Sequence, residues 1–111
     1  MTNPAFPQPV ALAAAAHIAL GLDANWRCDA LGELEHDRAF SEYTKALQLE
    51  PNWDVANYYY GYGWQRLDSK SRARLGSVQQ AKAALQKAIL LGKADVKKAA
   101  RKALKDLKKP A

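Results

Sequence analysis

Apolar residues recur along this chain at helical spacing, in blocks separated by turn signals. Ala39, Phe40, Tyr43, Ala46 and Leu47 fall three and four residues apart, with Glu35, Asp37 and Glu42 mostly on the other side. That spacing predicts a helix from about Glu33 to Leu49, stopped by Pro51. Asn52 or Asp54 can cap the next helix, about Asp54 to Leu67. Ser77 with Gln80 three residues on resembles a capping box, opening a helix that ends at Gly92. Asp95 caps a last helix, on which Val96, Ala99, Ala100, Ala103, Leu104 and Leu107 make one apolar stripe and lysines take the rest. Alanine and leucine dominate from about Gln8 to Asn25, which predicts a first helix. Pro4 and Pro7 keep the residues before it irregular, while Pro9 suits a first helical turn.

Two connectors remain, Arg27 to Gly32 and Asp68 to Gly76. Their extra residues either lengthen the flanking helices or form loops. The second, DSKSRARLGS, is polar, basic and glycine-containing, and is expected to be a loop. No segment alternates as a strand does. The expected fold is all-α, with five helices in antiparallel succession.

The helices repeat. A shift of forty-two residues lays IALGL (18–22) over YGYGW (60–64), so that Ala19 falls on Gly61, Gly21 on Gly63 and Leu22 on Trp64. The same shift lays AFSEYTKALQL (39–49) over AKAALQKAILL (81–91), matching Tyr43 with Leu85. Two helix pairs and a terminal helix result, as one domain over 10–109: a first unit at about 10–51, a second at about 52–93 and a capping helix at about 95–109.

Tyr60-Gly61 with Trp64, followed in the other helix type by Ala39, Tyr43, Ala46 and Pro51, resembles the tetratricopeptide repeat. The physics of the match is that small residues let helices approach and large ones fill the gaps. The chain departs from that pattern in its longer period, in Asn57 where the motif has tryptophan, and in Lys93 where the second unit would have proline. The resemblance implies a right-handed superhelix of antiparallel helix pairs. It further implies a concave groove for an extended or helical peptide, lined by Tyr58, Tyr62, Gln65 and Arg66. Lys97, Arg101 and Lys108 would add to the wall from the last helix. Tyr60, Gly61 and Trp64 share another side of their helix and are expected to pack against neighbouring helices.

Charge sharpens the picture of partners. Met1 to Asp54 carries three basic and eight acidic residues, a balance of −5, while Val55 to Ala111 carries fourteen and three, a balance of +11. The stretch GKADVKKAARKALKDLKK alone holds eight basic residues. A basic groove favours an acidic or carboxylate-bearing protein or peptide. The same lysines leave open a second reading, in which the last helix grips nucleic acid or an anionic membrane surface. Self-association of the acidic half with the basic half is a third.

Other chemistry is sparse. Apolar and charged fractions of 49% and 25% are those of an ordinary folded protein. Cys28 is the single cysteine, which fits a reducing, cytoplasmic setting. Cys28 and His36 do not stand at a metal-ligand spacing. His17 is expected to pack rather than to ligate, and the acidic start of the second helix suits its dipole. The run VALAAAAHIALGL (10–22) is too short to span a bilayer, and no Lys or Arg precedes it as in a signal segment. With no phosphate-binding glycine loop and no nucleophile–histidine constellation, neither catalytic residues nor a cofactor is expected. The sequence points to an adaptor or scaffold, not an enzyme.

Overall fold

A computed structural model describes residues 9–31 and 35–108. Six α-helices carry this part of the chain: α1 (Pro9–Leu31), α2 (His36–Leu49), α3 (Asp54–Gln65), α4 (Ser69–Leu75), α5 (Val78–Leu91) and α6 (Ala94–Lys108). Among the described residues there is no strand. Of the irregular start expected over 1–9, Pro9 belongs to α1 instead; residues 1–8, the glycine of the first connector and the residues from 109 onward lie outside the described residues.

One open alternative is settled and one expectation changes. The first connector is largely helix, because α1 continues through it to Leu31. The second is not a simple loop, because α4 occupies most of it and raises the number of helices from five to six. Asp68 starts α4, its Oδ1 accepting from the Ser71 N–H at 2.8 Å. That backbone bond, ahead of other effects, holds the Asp68 carboxyl below its usual range. Arg72 then fixes the helix from its far side. Its guanidinium lies over the Trp64 ring at 4.5 Å, and its Nη2 donates to the Gln65 carbonyl at 2.6 Å. Arg74 reaches Asp37 at 2.8 Å.

Smaller shifts occur at the caps. Neither Asn52 nor Asp54 caps α3, whose N-cap is Trp53 without a side-chain bond. α6 opens at Ala94, so Asp95 lies inside its first turn and accepts from the Val96 N–H at 2.9 Å. The capping box of Ser77 and Gln80 is present in both directions, and Gly92 ends α5. Asn57 is buried where its Nδ2 donates to the carbonyls of Pro51 (3.0 Å) and Trp53 (2.8 Å), tying α3 to the turn before it.

Each long helix packs on the next long helix in the chain, and α3 also meets α6 and α1. The whole measures 51 × 30 × 24 Å. The joints set large side chains on glycines. A Cβ added at Gly61 would fall on Leu85, and one added at either Gly21 or Gly63 would fall on Tyr43. Tyr43 is therefore held between α1 and α3, and Leu85 between α3 and α6, where Ala100 and Ala103 join its cluster.

The register of α1 is thereby corrected. Gly21 does for Tyr43 what Gly61 does for Leu85, an interval of 61 − 21 = 40 residues rather than forty-two. Ala19, placed over Gly61 by the longer shift, is exposed. The cause is polar: α1 turns His17 and Asn25 inward to partners on α2, and this rotates Ala19 to the outside.

Candidate functional site

The aromatic run of α3 divides as its helical angles require. Tyr60 and Trp64 are buried with Leu67, Phe40, Ala81 and Ala84. Tyr58, Tyr59 and Tyr62 are half-buried. Each of these three packs one side against the core, Tyr58 near Leu85 and the other two near Tyr43.

The three rings and Tyr43 form one cluster. Tyr58 stacks on Tyr62 with ring centroids 6.0 Å apart, and Tyr43 stacks on Tyr59 at 5.3 Å. Tyr59 meets Tyr58 at 4.9 Å and Tyr62 at 5.9 Å, both edge-on. Offset and edge-on pairs of this kind are favourable beyond the area they bury. Arg66 places its guanidinium 5.4 Å from the Tyr62 ring centre.

Beside the cluster opens a cleft of about 530 Å³, between α3 and α6 with His36 of α2 at one side. Tyr58, Tyr62, Gln65 and Arg66 line it from α3, and Ala99, Lys102, Ala103 and Asp106 from α6. The structure thus brings together four of the seven residues singled out in the sequence, Tyr58, Tyr62, Gln65 and Arg66. Lys97 and Arg101 are not among its lining residues. Ala100 and Ala103 are buried, which fixes the rotation of α6 and leaves Lys97 and Arg101 on the flank away from α3. Lys102 and Asp106 take the near flank instead.

His36 and Tyr59 are the residues that sequence reasoning passed over. His36 belongs to a buried polar chain. The Tyr43 hydroxyl donates to Asn25 Oδ1 at 2.6 Å, and Asn25 Nδ2 donates to His36 Nδ1 at 2.8 Å. The signal for it in the sequence is an asparagine in a helix dominated by alanine and leucine, whose partners lie on another element.

Burial, reinforced by the neighbouring tyrosines, raises the pKa of Tyr43, Tyr58 and Tyr59; burial alone raises that of Tyr60. These hydroxyls therefore stay protonated around neutral pH. Tyr58 offers the cleft a neutral donor, beside the cations of Arg66 and Lys102 and opposite the carboxylate of Asp106.

Among the described residues, no three His, Cys, Asp or Glu side chains are gathered so as to hold a metal ion, and no helix is long and apolar enough to cross a membrane. Compared with protein-family models, curated proteins and solved structures, the chain matches none.

Proposed function

We propose that this chain is a non-enzymatic interaction module, of the kind its tetratricopeptide-like pattern implies, which holds a peptide or a single helix in the α3–α6 cleft. The observation that supports this most is the meeting of stacked Tyr58 and Tyr62 with Gln65, Arg66 and Lys102 in one open cleft. Tyrosine brings large contact area with little entropy to lose, and arginine and lysine bring charge, the mixture that carries binding energy at interfaces. The Tyr58 hydroxyl beside two cations, which outnumber the one carboxylate of Asp106, favours a ligand with a carboxylate, either a side chain or a chain terminus.

A second reading has its own support. Lys98, Arg101 and Lys105 are exposed on α6 away from the cleft, a basic strip that suits nucleic acid or an anionic surface. One experiment separates the two. Peptide capture from a displayed library should be lost in Tyr58→Ala/Tyr62→Ala, whose helical circular dichroism is retained because Tyr60 and Trp64 keep the core. It should persist in Lys98→Glu/Lys105→Glu. Sub-micromolar binding of single-stranded or duplex oligonucleotides at about 150 mM salt, abolished by the lysine changes and indifferent to the tyrosine ones, would replace the first reading by the second.

A further inference from the structure

The α3–α6 cleft does not end at Arg66. A second cleft of about 310 Å³ opens where α2, the end of α3 and the start of α4 meet, lined by His36, Asp37, Arg66, Leu67, Asp68 and Ser71. His36 and Arg66 line both clefts, so the two run into each other as one longer groove.

The packing of the helices gives the groove a direction. Tyr58 and Val96 pack on the cluster of Leu85 and Ala88, whereas Leu107 also reaches the cluster of Trp64 and Leu67. α3 and α6 therefore run the same way, and Lys102 stands nearer the Tyr58 end than Asp106 does. The charges are sorted along this line. Lys102 lies in the α3–α6 stretch and Arg66 at the junction, while the carboxylates of Asp106, Asp37 and Asp68 lie from the junction onward.

These carboxylates are not equally open to a ligand. Arg74 bridges Asp37 at 2.8 Å. The other arginine of α4, Arg72, is engaged by the Trp64 ring and the Gln65 carbonyl. Asp68 differs from Asp37. It accepts from the Ser71 N–H, an uncharged donor, and the charge of nearby Lys70 is the smallest of the influences on it. Asp68 is exposed, lines the second cleft and is ionised around neutral pH.

We propose that the ligand is an extended peptide segment of two opposite charges, with its carboxylate held by Lys102 and Arg66 and a lysine or arginine held by Asp68. This rests on the reading of the α3–α6 cleft as a peptide site, and adds to it a second charge and a direction. A ligand of one sign fits poorly: an all-acidic segment meets Asp106 and Asp68, and an all-basic one meets Lys102 and Arg66. Opposite charges in the right order satisfy both ends and reject both alternatives. The spacing follows from α3. From Tyr62 to Asp68 is six residues, about 9 Å at the helical rise, which an extended chain covers in about three residues.

The test selects random dodecapeptides, displayed without free termini, on the full chain at about 50 mM salt, where exposed charges are less screened. Enriched peptides should carry Asp or Glu with Lys or Arg about two to four residues away. One of them, resynthesised with blocked termini, is compared with a counterpart that has glutamine at the basic position. Asp68→Asn removes the charge and keeps a good helix cap. It should weaken the parent peptide about three- to fivefold and leave the glutamine peptide unaltered. Lys102→Gln should act in the same way on the acidic position. Equal loss for both peptides in Asp68→Asn would mean that Asp68 acts through the fold of α4, and would overturn the proposal. Enriched peptides that need Tyr58 and Tyr62 but carry no basic residue would also overturn it, leaving the α3–α6 cleft as a peptide site without the extension. If no selected peptide depends on Tyr58 and Tyr62, the peptide reading itself fails, and this inference with it.

Discussion

Tyr43 and Leu85 hold the same place in two successive joints and fill it differently. Both are fully buried, Tyr43 pressing on Gly21 of α1 and Gly63 of α3, and Leu85 on Gly61 of α3. Leu85 ends in methyl groups among Ala88, Ala100 and Ala103. Tyr43 ends in a hydroxyl, which binds Asn25, which in turn binds His36 on the cleft wall. Its ring also supports Tyr59 and Tyr62. Large-on-glycine packing solves the problem of close helix approach in both units. Only the first unit adds a polar tip, and with it a route from the core to the cleft. One joint holds helices together, and the other also sets the position of a wall of the candidate site.

The largest effect that would test this contrast lies in the simpler joint. Leu85→Ala should cost about 2–5 kcal/mol, the usual range for truncating a fully buried leucine, read from urea unfolding. Gly61→Leu should cost about 1–3 kcal/mol by overpacking the same space. The pair is the sharper measurement. Because the new side chain would enter room that Leu85 vacates, Gly61→Leu/Leu85→Ala should cost clearly less than the two single changes added together. Strict additivity would mean that Gly61 and Leu85 do not share the joint.

The first joint should be more sensitive to chemistry than to volume. Tyr43→Phe keeps the ring between Gly21 and Gly63 but leaves Asn25 Oδ1 buried without its donor, at a cost of about 1–3 kcal/mol. Peptide capture should weaken as well, because Asn25 then no longer fixes the His36 ring. A Tyr43→Phe protein with full stability and full capture would reduce Tyr43 to a larger Leu85, and the difference between the joints would vanish.

How much of this was legible beforehand differs between the same regions. The stripes of α2, α3 and α6 and the caps of α5 are local features, written in residues a few positions apart, and the helices follow them. The tyrosines divided between core and cleft for the same reason. α4 was missed because SKSRARL has almost no apolar stripe; it is held by Arg72 on Trp64 and Arg74 on Asp37, contacts with distant elements. The rotation of α1 was missed because it is nearly uniform in hydropathy, so its inward face is chosen by His17 and Asn25 finding partners on α2. The wrong flank of α6 has a similar origin. Lys97 and Arg101 were placed by analogy with a repeat, whereas the burial of Ala100 and Ala103 decides which lysines look at α3.

The smallest expected effect concerns that inward face of α1. His17 Nδ1 donates to Glu42 Oε2 at 2.6 Å, and Lys45 lies 3.5 Å from the other carboxylate oxygen. Burial pushes the Glu42 carboxyl up, but the His17 bond and the Lys45 charge together outweigh it and hold it below its ordinary value of 4.5. A carboxyl lowered by folding stabilises the folded state at pH values above its unfolded constant. That contribution is lost as the pH falls through its folded one. Stability should therefore be flat in this respect above about pH 5 and decline below pH 4.5. His17→Ala removes the bond that does most to lower Glu42, so the mutant should lose the His17-dependent part of that acid slope and differ least from the wild type at the lowest pH. The effect should stay near or below about 1 kcal/mol, as for a partly exposed pair. A series of melts from pH 3 to pH 7 reads it. Parallel curves for the two proteins would show that His17 packs against α2 without binding Glu42, and the polar reason for the turn of α1 would then rest on Asn25 alone.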